Sequence, residues 1–217
     1  MGRIRIEGGI PLDGEVRIQG SKNAALPIMA AALLNRGTTV LKGCPRIADV
    51  FLMERMLKGL GAKTSWQEDT LEICARELHS CTADRELGEK MRSSIVLMGS
   101  LLGRYGEGIL PFPGGCVIGA RPIDLHLDAL GRLGAEFKEE KGCLWGRTRG
   151  LHGGEIFFPR SSVGATQNAV LGAVCAKGTT VIRGCSIEPE VSWLCRFLNQ
   201  AGGKIRGTGT SCLVIQG

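Results

Sequence analysis

The chain has 217 residues, 43% hydrophobic and 22% charged, with 27 Lys and Arg against 21 Asp and Glu, for a net charge of +6. That length supplies one large core or two small ones, and a positive charge spread along the chain, with a single Tyr, argues against nucleic acid as a partner. No apolar run reaches membrane-spanning length, no signal-peptide pattern opens the chain, and nine cysteines without a Cys-x-x-Cys pair predict a reducing, cytoplasmic setting with neither a disulfide framework nor a zinc site.

In chain order, residues 1–20 carry two strand-like runs, Arg3 to Ile6 and Glu15 to Ile18. An apolar helix is expected over about 23–35, with Pro27 in its first turn and Ser21, Lys22 and Asn23 at its mouth. A strand at Thr38 to Leu41 follows, then a helix capped by Asp49, with Leu52, Met53, Met56, Leu57 and Leu60 on one face and Gly61 at its end. A strand at Leu71 to Cys74 closes this unit. Further opening helices are expected over about 92–104 and 163–176, with strands at Thr179 to Ile182 and Cys212 to Ile215. Between those two strands, Pro189 suits a first helical turn, and Val191, Leu194, Cys195 and Leu198 form its apolar face.

The chain repeats itself. Gly37-Thr38-Thr39-Val40 recurs as Gly178-Thr179-Thr180-Val181, and Gly61 as Gly202, both 141 residues on. Gly106-Glu107-Gly108-Ile109 and Leu133-Gly134-Ala135 occupy the intermediate places, so the period is about 70 residues. This predicts an α/β domain of three βαβαββ-like repeats (about 21–89, 90–160 and 161–217) with pseudo-threefold symmetry. Three helix N termini would then point to one end, bearing Lys22, Arg92 with Ser93, and Ser162 with Val163 and Gly164. Such a face binds anions. Taken singly, Lys22 and Arg92 read more readily as solvated surface charges.

Between the repeats' elements lies Pro113-Gly114-Gly115-Cys116-Val117-Ile118-Gly119-Ala120-Arg121-Pro122, a thiol and a guanidinium on glycine-rich backbone. Glycine lets main chain approach a ligand closely, and arginine offers a forked donor for phosphate or carboxylate. Alone, Cys116 reads as a small buried apolar residue. In this loop it reads as the most reactive thiol, while Cys175 and Cys195 fall on apolar helical faces.

Gly20-Ser21-Lys22-Asn23-Ala24-Ala25-Leu26-Pro27, then Lys90-Met91-Arg92-Ser93-Ser94-Ile95, then Pro113 to His126, then Ser162-Val163-Gly164-Ala165-Thr166 resemble, in that order, the UDP-N-acetylglucosamine 1-carboxyvinyltransferases. These are enolpyruvyl transferases at the committed step of peptidoglycan synthesis. The resemblance implies an inside-out α/β barrel built from such repeats, with ligands in a cleft between two domains and no cofactor or metal. It implies that phosphoenolpyruvate and the 3-hydroxyl of UDP-N-acetylglucosamine join in a tetrahedral intermediate that then loses phosphate. Lys22 matches the lysine that contacts phosphoenolpyruvate, Asn23 a residue shared by both substrates, and Arg92 and Arg121 anion-binding arginines. Cys116 matches the cysteine that protonates the methylene carbon and is the target of fosfomycin. Arg121, Pro122, Ile123, Asp124 and Leu125 match the stretch that holds the uridine diphosphate, as do Arg160, Ser162, Val163 and Gly164. Many members carry lysine where Arg160 stands. The Pro-Gly-Gly-Cys loop favours the UDP-sugar enzymes over the shikimate-pathway enzyme of the same fold.

The resemblance covers the N-terminal half of those proteins. Residues 1–20 would in the family pair with the second domain, which is expected to be absent from these 217 residues together with the aspartate and arginines it contributes. Two readings stay open. One is an enolpyruvyl transferase represented by its catalytic-loop domain, as a fragment or as half of a two-chain enzyme with a complementary second-domain chain. The other is a non-catalytic UDP-sugar or anion-binding domain.

Overall fold

The computed structural model describes residues 3–11, 13–112 and 122–217. In chain order these form α1 (Lys22–Ala31), β1 (Thr38–Leu41), α2 (Ala48–Gly59), β2 (Lys63–Gln67), β3 (Thr70–Cys74), α3 (Arg85–Lys90), α4 (Leu97–Tyr105) and β4 (Glu107–Pro111). Then follow α5 (Asp124–Arg132), β5 (Glu136–Glu140), β6 (Cys143–Arg147), β7 (Glu155–Phe157), α6 (Val163–Ala173), β8 (Thr179–Arg183), α7 (Pro189–Gln200), β9 (Lys204–Arg206) and β10 (Cys212–Gln216).

The sheets follow one order. β1-β3-β2 and β4-β6-β5 are three-stranded and antiparallel, and β8-β10-β9 repeats that order with β7 added parallel to β8. In each, the strand after the opening helix pairs with the last strand of its unit, which also pairs with the strand before it. Period-two patterning explains why: Leu71 and Ile73, Leu144, and Leu213 and Ile215 turn inward while their neighbours stay more exposed. Gly61, Gly134 and Gly202, just beyond α2, α5 and α7, have φ of 107°, 94° and 101°. That left-handed conformation lets each helix end and the chain turn into its strand.

The opening helices α1, α4 and α6 lie in the core. α6 is buried over every residue from Ala165 to Ala173, and α4 over Leu97 to Leu102. Helices apolar all round have no face to give to water, so neighbours must cover them. α4 packs on both α1 and α6, α2 and α7 pack on α1, and α5 packs on α6. Each Val or Leu so buried contributes about 2 kcal/mol of hydrophobic stabilisation.

Several local expectations are corrected. Pro27 sits inside α1 rather than in its first turn, so the Asn23 carbonyl lacks its helical donor. Asp49 does not cap α2, because the helix already begins at Ala48; its carboxylate reaches Lys22 instead. The helix expected over 92–104 starts as a 3₁₀ turn at Arg92–Val96 before α4. Sequence reasoning did not foresee α3, which Asp84 caps by accepting from the Leu87 N–H at 2.9 Å. Cys175 lies past the end of α6 and is exposed as a residue, although its sulfur packs over Gly103.

Residues 3–11 and 13–20 contain no strand. Ile4, Ile6, Ile10, Val16 and Ile18 are each more than 80% exposed, at 89%, 84%, 81%, 81% and 84%. A β-prone sequence becomes a strand only with a ladder partner, and none lies beside these runs among the described residues. No helix among the described residues is long and apolar enough to cross a membrane.

Candidate functional site

One cavity of about 770 Å³ gathers residues far apart in sequence. Lys22 and Asn23 come from the first turn of α1, Arg92 from the 3₁₀ turn before α4, Pro122 and Leu125 from the start of α5, and Arg160, Ser162, Val163 and Gly164 from the mouth of α6. All nine are among the expected site residues. Of the others, Ile123 is the buried N-cap of α5 and does not line the cavity, while Asp124 reaches it only through Arg160. Cys116 and Arg121 lie outside the described residues.

Two of the cations at the cavity are already met by internal acids. Lys22 Nζ stands 2.9 Å from an Asp49 carboxylate oxygen, with both side chains partly exposed. Arg160 Nη2 donates to both Asp124 oxygens, at 2.9 and 2.7 Å. Desolvation pushes the Asp124 pKa upward, but the hydrogen bonds and charge of Arg160, joined by backbone hydrogen bonds, together outweigh it and hold the carboxyl below the usual range. Asn23 Nδ2 donates to Glu190 Oε1 at 3.4 Å. Exposed pairs of this kind contribute about 0–1 kcal/mol each, so an incoming phosphate competes for Lys22 and Arg160 at small cost. The N termini of α1 and α6 add unpaired N–H groups and partial positive charge.

Behind the cations stands a neutral, buried network that sequence reasoning did not assign. Asn168 of α6 accepts from the Gly99 N–H at 2.7 Å and donates to Ile95 O at 2.9 Å. Its second amide hydrogen faces His126 Nδ1 at 3.1 Å. The Gly99 bond fixes the orientation of the amide, so Nδ1 is the acceptor and the His126 proton sits on Nε2. Burial, followed by the repulsion of Arg92, lowers the His126 pKa to about 4, so the ring is a neutral donor at ordinary pH. A Cβ at position 164 would stand 3.1 and 3.3 Å from the His126 ring, so Gly164 lets α6 approach this closely. Lys90, Ser93, Ser161, Gln167 and Glu190 also line the cavity. A polar residue three positions after Gly164 on an apolar helix was the available signal for Gln167.

Helices inside, sheets in one repeated order, and cations with two helix N termini converging on one cavity define an α/β domain with a candidate anion site. The chain belongs to the EPSP synthase (3-phosphoshikimate 1-carboxyvinyltransferase) family, which it matches over residues 6–217. It is 45% identical to the UDP-N-acetylglucosamine 1-carboxyvinyltransferase of Chloroherpeton thalassium over 220 aligned positions, covering 100% of this chain and 51% of that protein. The Helicobacter pylori protein of the same name is also 45% identical, over 99% of this chain and 51% of its own length. The chain thus spans about half the length of these curated relatives. In fold it is similar to the enolpyruvyl transferase NikO from Streptomyces tendae, with a TM-score of 0.80 at 22% identity over 97% of this chain and 49% of that one. It is also similar to EPSP synthase from Acinetobacter baumannii, with a TM-score of 0.72 at 18% identity over 94% and 47%.

Proposed function

We propose that this chain forms one wall of an active site that transfers the enolpyruvyl group of phosphoenolpyruvate to the 3-hydroxyl of UDP-N-acetylglucosamine, releasing phosphate. The observation that carries this reading is the meeting of Lys22, Asn23, Arg92, Arg160 and the Ser162–Gly164 turn in one cavity, from three separate stretches of sequence. The relatives named for this reaction support it through their identity across the whole chain.

In this reading the diphosphate sits at the α6 mouth, where N–H groups and Arg160 meet it, and Asp124 orients the Arg160 fork. Lys22 exchanges its Asp49 contact for the phosphate of phosphoenolpyruvate. Cys116, which precedes the cavity-lining Pro122 in sequence, would deliver the proton to the methylene carbon, and the cations stabilise the charge that develops beside it. The proposal includes an inside-out barrel of three repeats, supported by the shared strand order of the sheets. A second domain would close the cleft, and residues 1–20, with their exposed isoleucines and Val16, would pair with it.

Phosphate release from phosphoenolpyruvate, dependent on UDP-N-acetylglucosamine, tests the reading. Silence is expected from the 217-residue chain alone, and turnover when a second chain carrying the remaining domain is added. Cys116→Ser should then impair it. Turnover by the single chain would refute the half-site, and a complemented pair that is active with Cys116→Ser would refute the role of the thiol.

A further inference from the structure

The polar residues of α6 differ in one respect. Thr166 Oγ1 donates to Ser162 O at 2.8 Å and accepts from the Ser186 N–H at 3.0 Å, and Asn168 is bonded on all sides. Gln167 is not. It is 6% exposed, and its Nε2 has no hydrogen-bond partner among the described residues. Val163, Gly164 and Gln167 share the face of α6 that lines the cavity. A buried amide without a partner is destabilising, and a leucine in its place would avoid that cost.

We infer that Gln167 is a ligand-binding residue whose amide donates to an oxygen of the bound nucleotide sugar, one helical turn deeper than the anion position at the α6 mouth. The His126 Nε2–H, held in that tautomer by Asn168 and packed against Gly164, is the neighbouring neutral donor. Two neutral donors behind a rim of cations suit an acceptor that carries little charge of its own, or one already shared with Arg92. A non-bridging phosphoryl oxygen and an acetamido carbonyl both fit. The inference rests on the proposed nucleotide-sugar reading and deepens it.

Calorimetric titration of the 217-residue chain with UDP, UDP-glucose and UDP-N-acetylglucosamine separates the two. Gln167→Met should weaken binding about tenfold, the size of one lost hydrogen bond to a polar or charged acceptor. An equal loss for all three ligands identifies a phosphoryl oxygen, and a loss confined to UDP-N-acetylglucosamine identifies the acetamide. Unchanged affinity in Gln167→Met alongside a loss in Arg160→Ala overturns the inference and leaves the nucleotide-sugar reading standing. Failure of the unsubstituted chain to bind any of the three takes both down. Should Gln167→Met not fold, the side-chain amide resonances of Gln167 in nitrogen-15-labelled unsubstituted chain decide instead. They should shift on adding UDP-N-acetylglucosamine, and unmoved resonances at saturation refute the contact.

Discussion

The two walls of the cavity are built on different physics. On the α1 side, Lys22 and Asn23 are held by Asp49 and Glu190 through partly exposed contacts at 2.9 and 3.4 Å. On the α5 and α6 side the exposed Arg160–Asp124 pair is of the same exchangeable kind, but behind it Asn168, His126 and Gly99 form a buried network without a formal charge. Screened pairs at a surface are weak and easily exchanged, whereas a buried amide losing its partners leaves several groups unsatisfied at once. One wall is arranged to swap partners and the other to keep its shape.

The hardest blow to the rigid wall is Asn168→Ala. It removes the acceptor of the Gly99 N–H and a donor to the Ile95 carbonyl in the core, and a loss of about 3 kcal/mol is expected, or roughly 6–12 °C in thermal midpoint. A shift below 2 °C would show that the network is no stiffer than the opposite wall. Acid attacks the same wall through His126. Its native pKa of about 4 lies below the ordinary histidine value near 6.5. Between those values the unfolded chain binds a proton that the native chain refuses, so stability is full above pH 6.5 and falls as pH drops toward 4. The loss approaches roughly 3 kcal/mol at the lower end. Urea midpoints measured across that window check it, and His126→Gln should flatten the slope; an unchanged slope would place the titration elsewhere.

Gly164→Ala is a smaller perturbation. The added methyl meets a ring that Asn168 pins in place, so about 1 kcal/mol of stability should be lost, with weaker UDP-sugar binding measured by calorimetry. Least is expected from Asp49→Asn on the exchangeable wall. Stability should change by less than about 0.5 kcal/mol, while affinity for inorganic phosphate rises as Lys22 loses its internal competitor. A larger destabilisation, or no gain in phosphate affinity, would erase the contrast between the walls.

Much of the site was legible because its residues mark helix starts. Ser21-Lys22-Asn23 and Ser162-Val163-Gly164 each precede an apolar run, and such a boundary places them at an N terminus wherever the helix goes. Ser162 does cap α6, its Oγ accepting from the Ala165 N–H at 3.4 Å. The acids were not legible. Asp49 reads as a helix cap and Glu190 carries no assignment; only the packing of α2 and α7 against α1 brings them to Lys22 and Asn23. Gln167 and Asn168 are adjacent in sequence, and nothing in their order says that one is satisfied and the other is not.

Residues 3–20 and β8 extend the lesson. Both are rich in β-branched residues, yet Thr179–Arg183 is a strand, because β10 and β7 flank it, and the N-terminal runs are not. Local sequence determined the helices, their buried faces, the turn glycines and the order of units, since these depend on spacing within a few residues. Tertiary structure alone decided which strands found partners, which acid met which cation, and which buried amide was left facing the cavity. The acid–cation contacts depend on segments far apart in sequence, 27 residues for Lys22 with Asp49 and 167 for Asn23 with Glu190, and no local pattern encodes them.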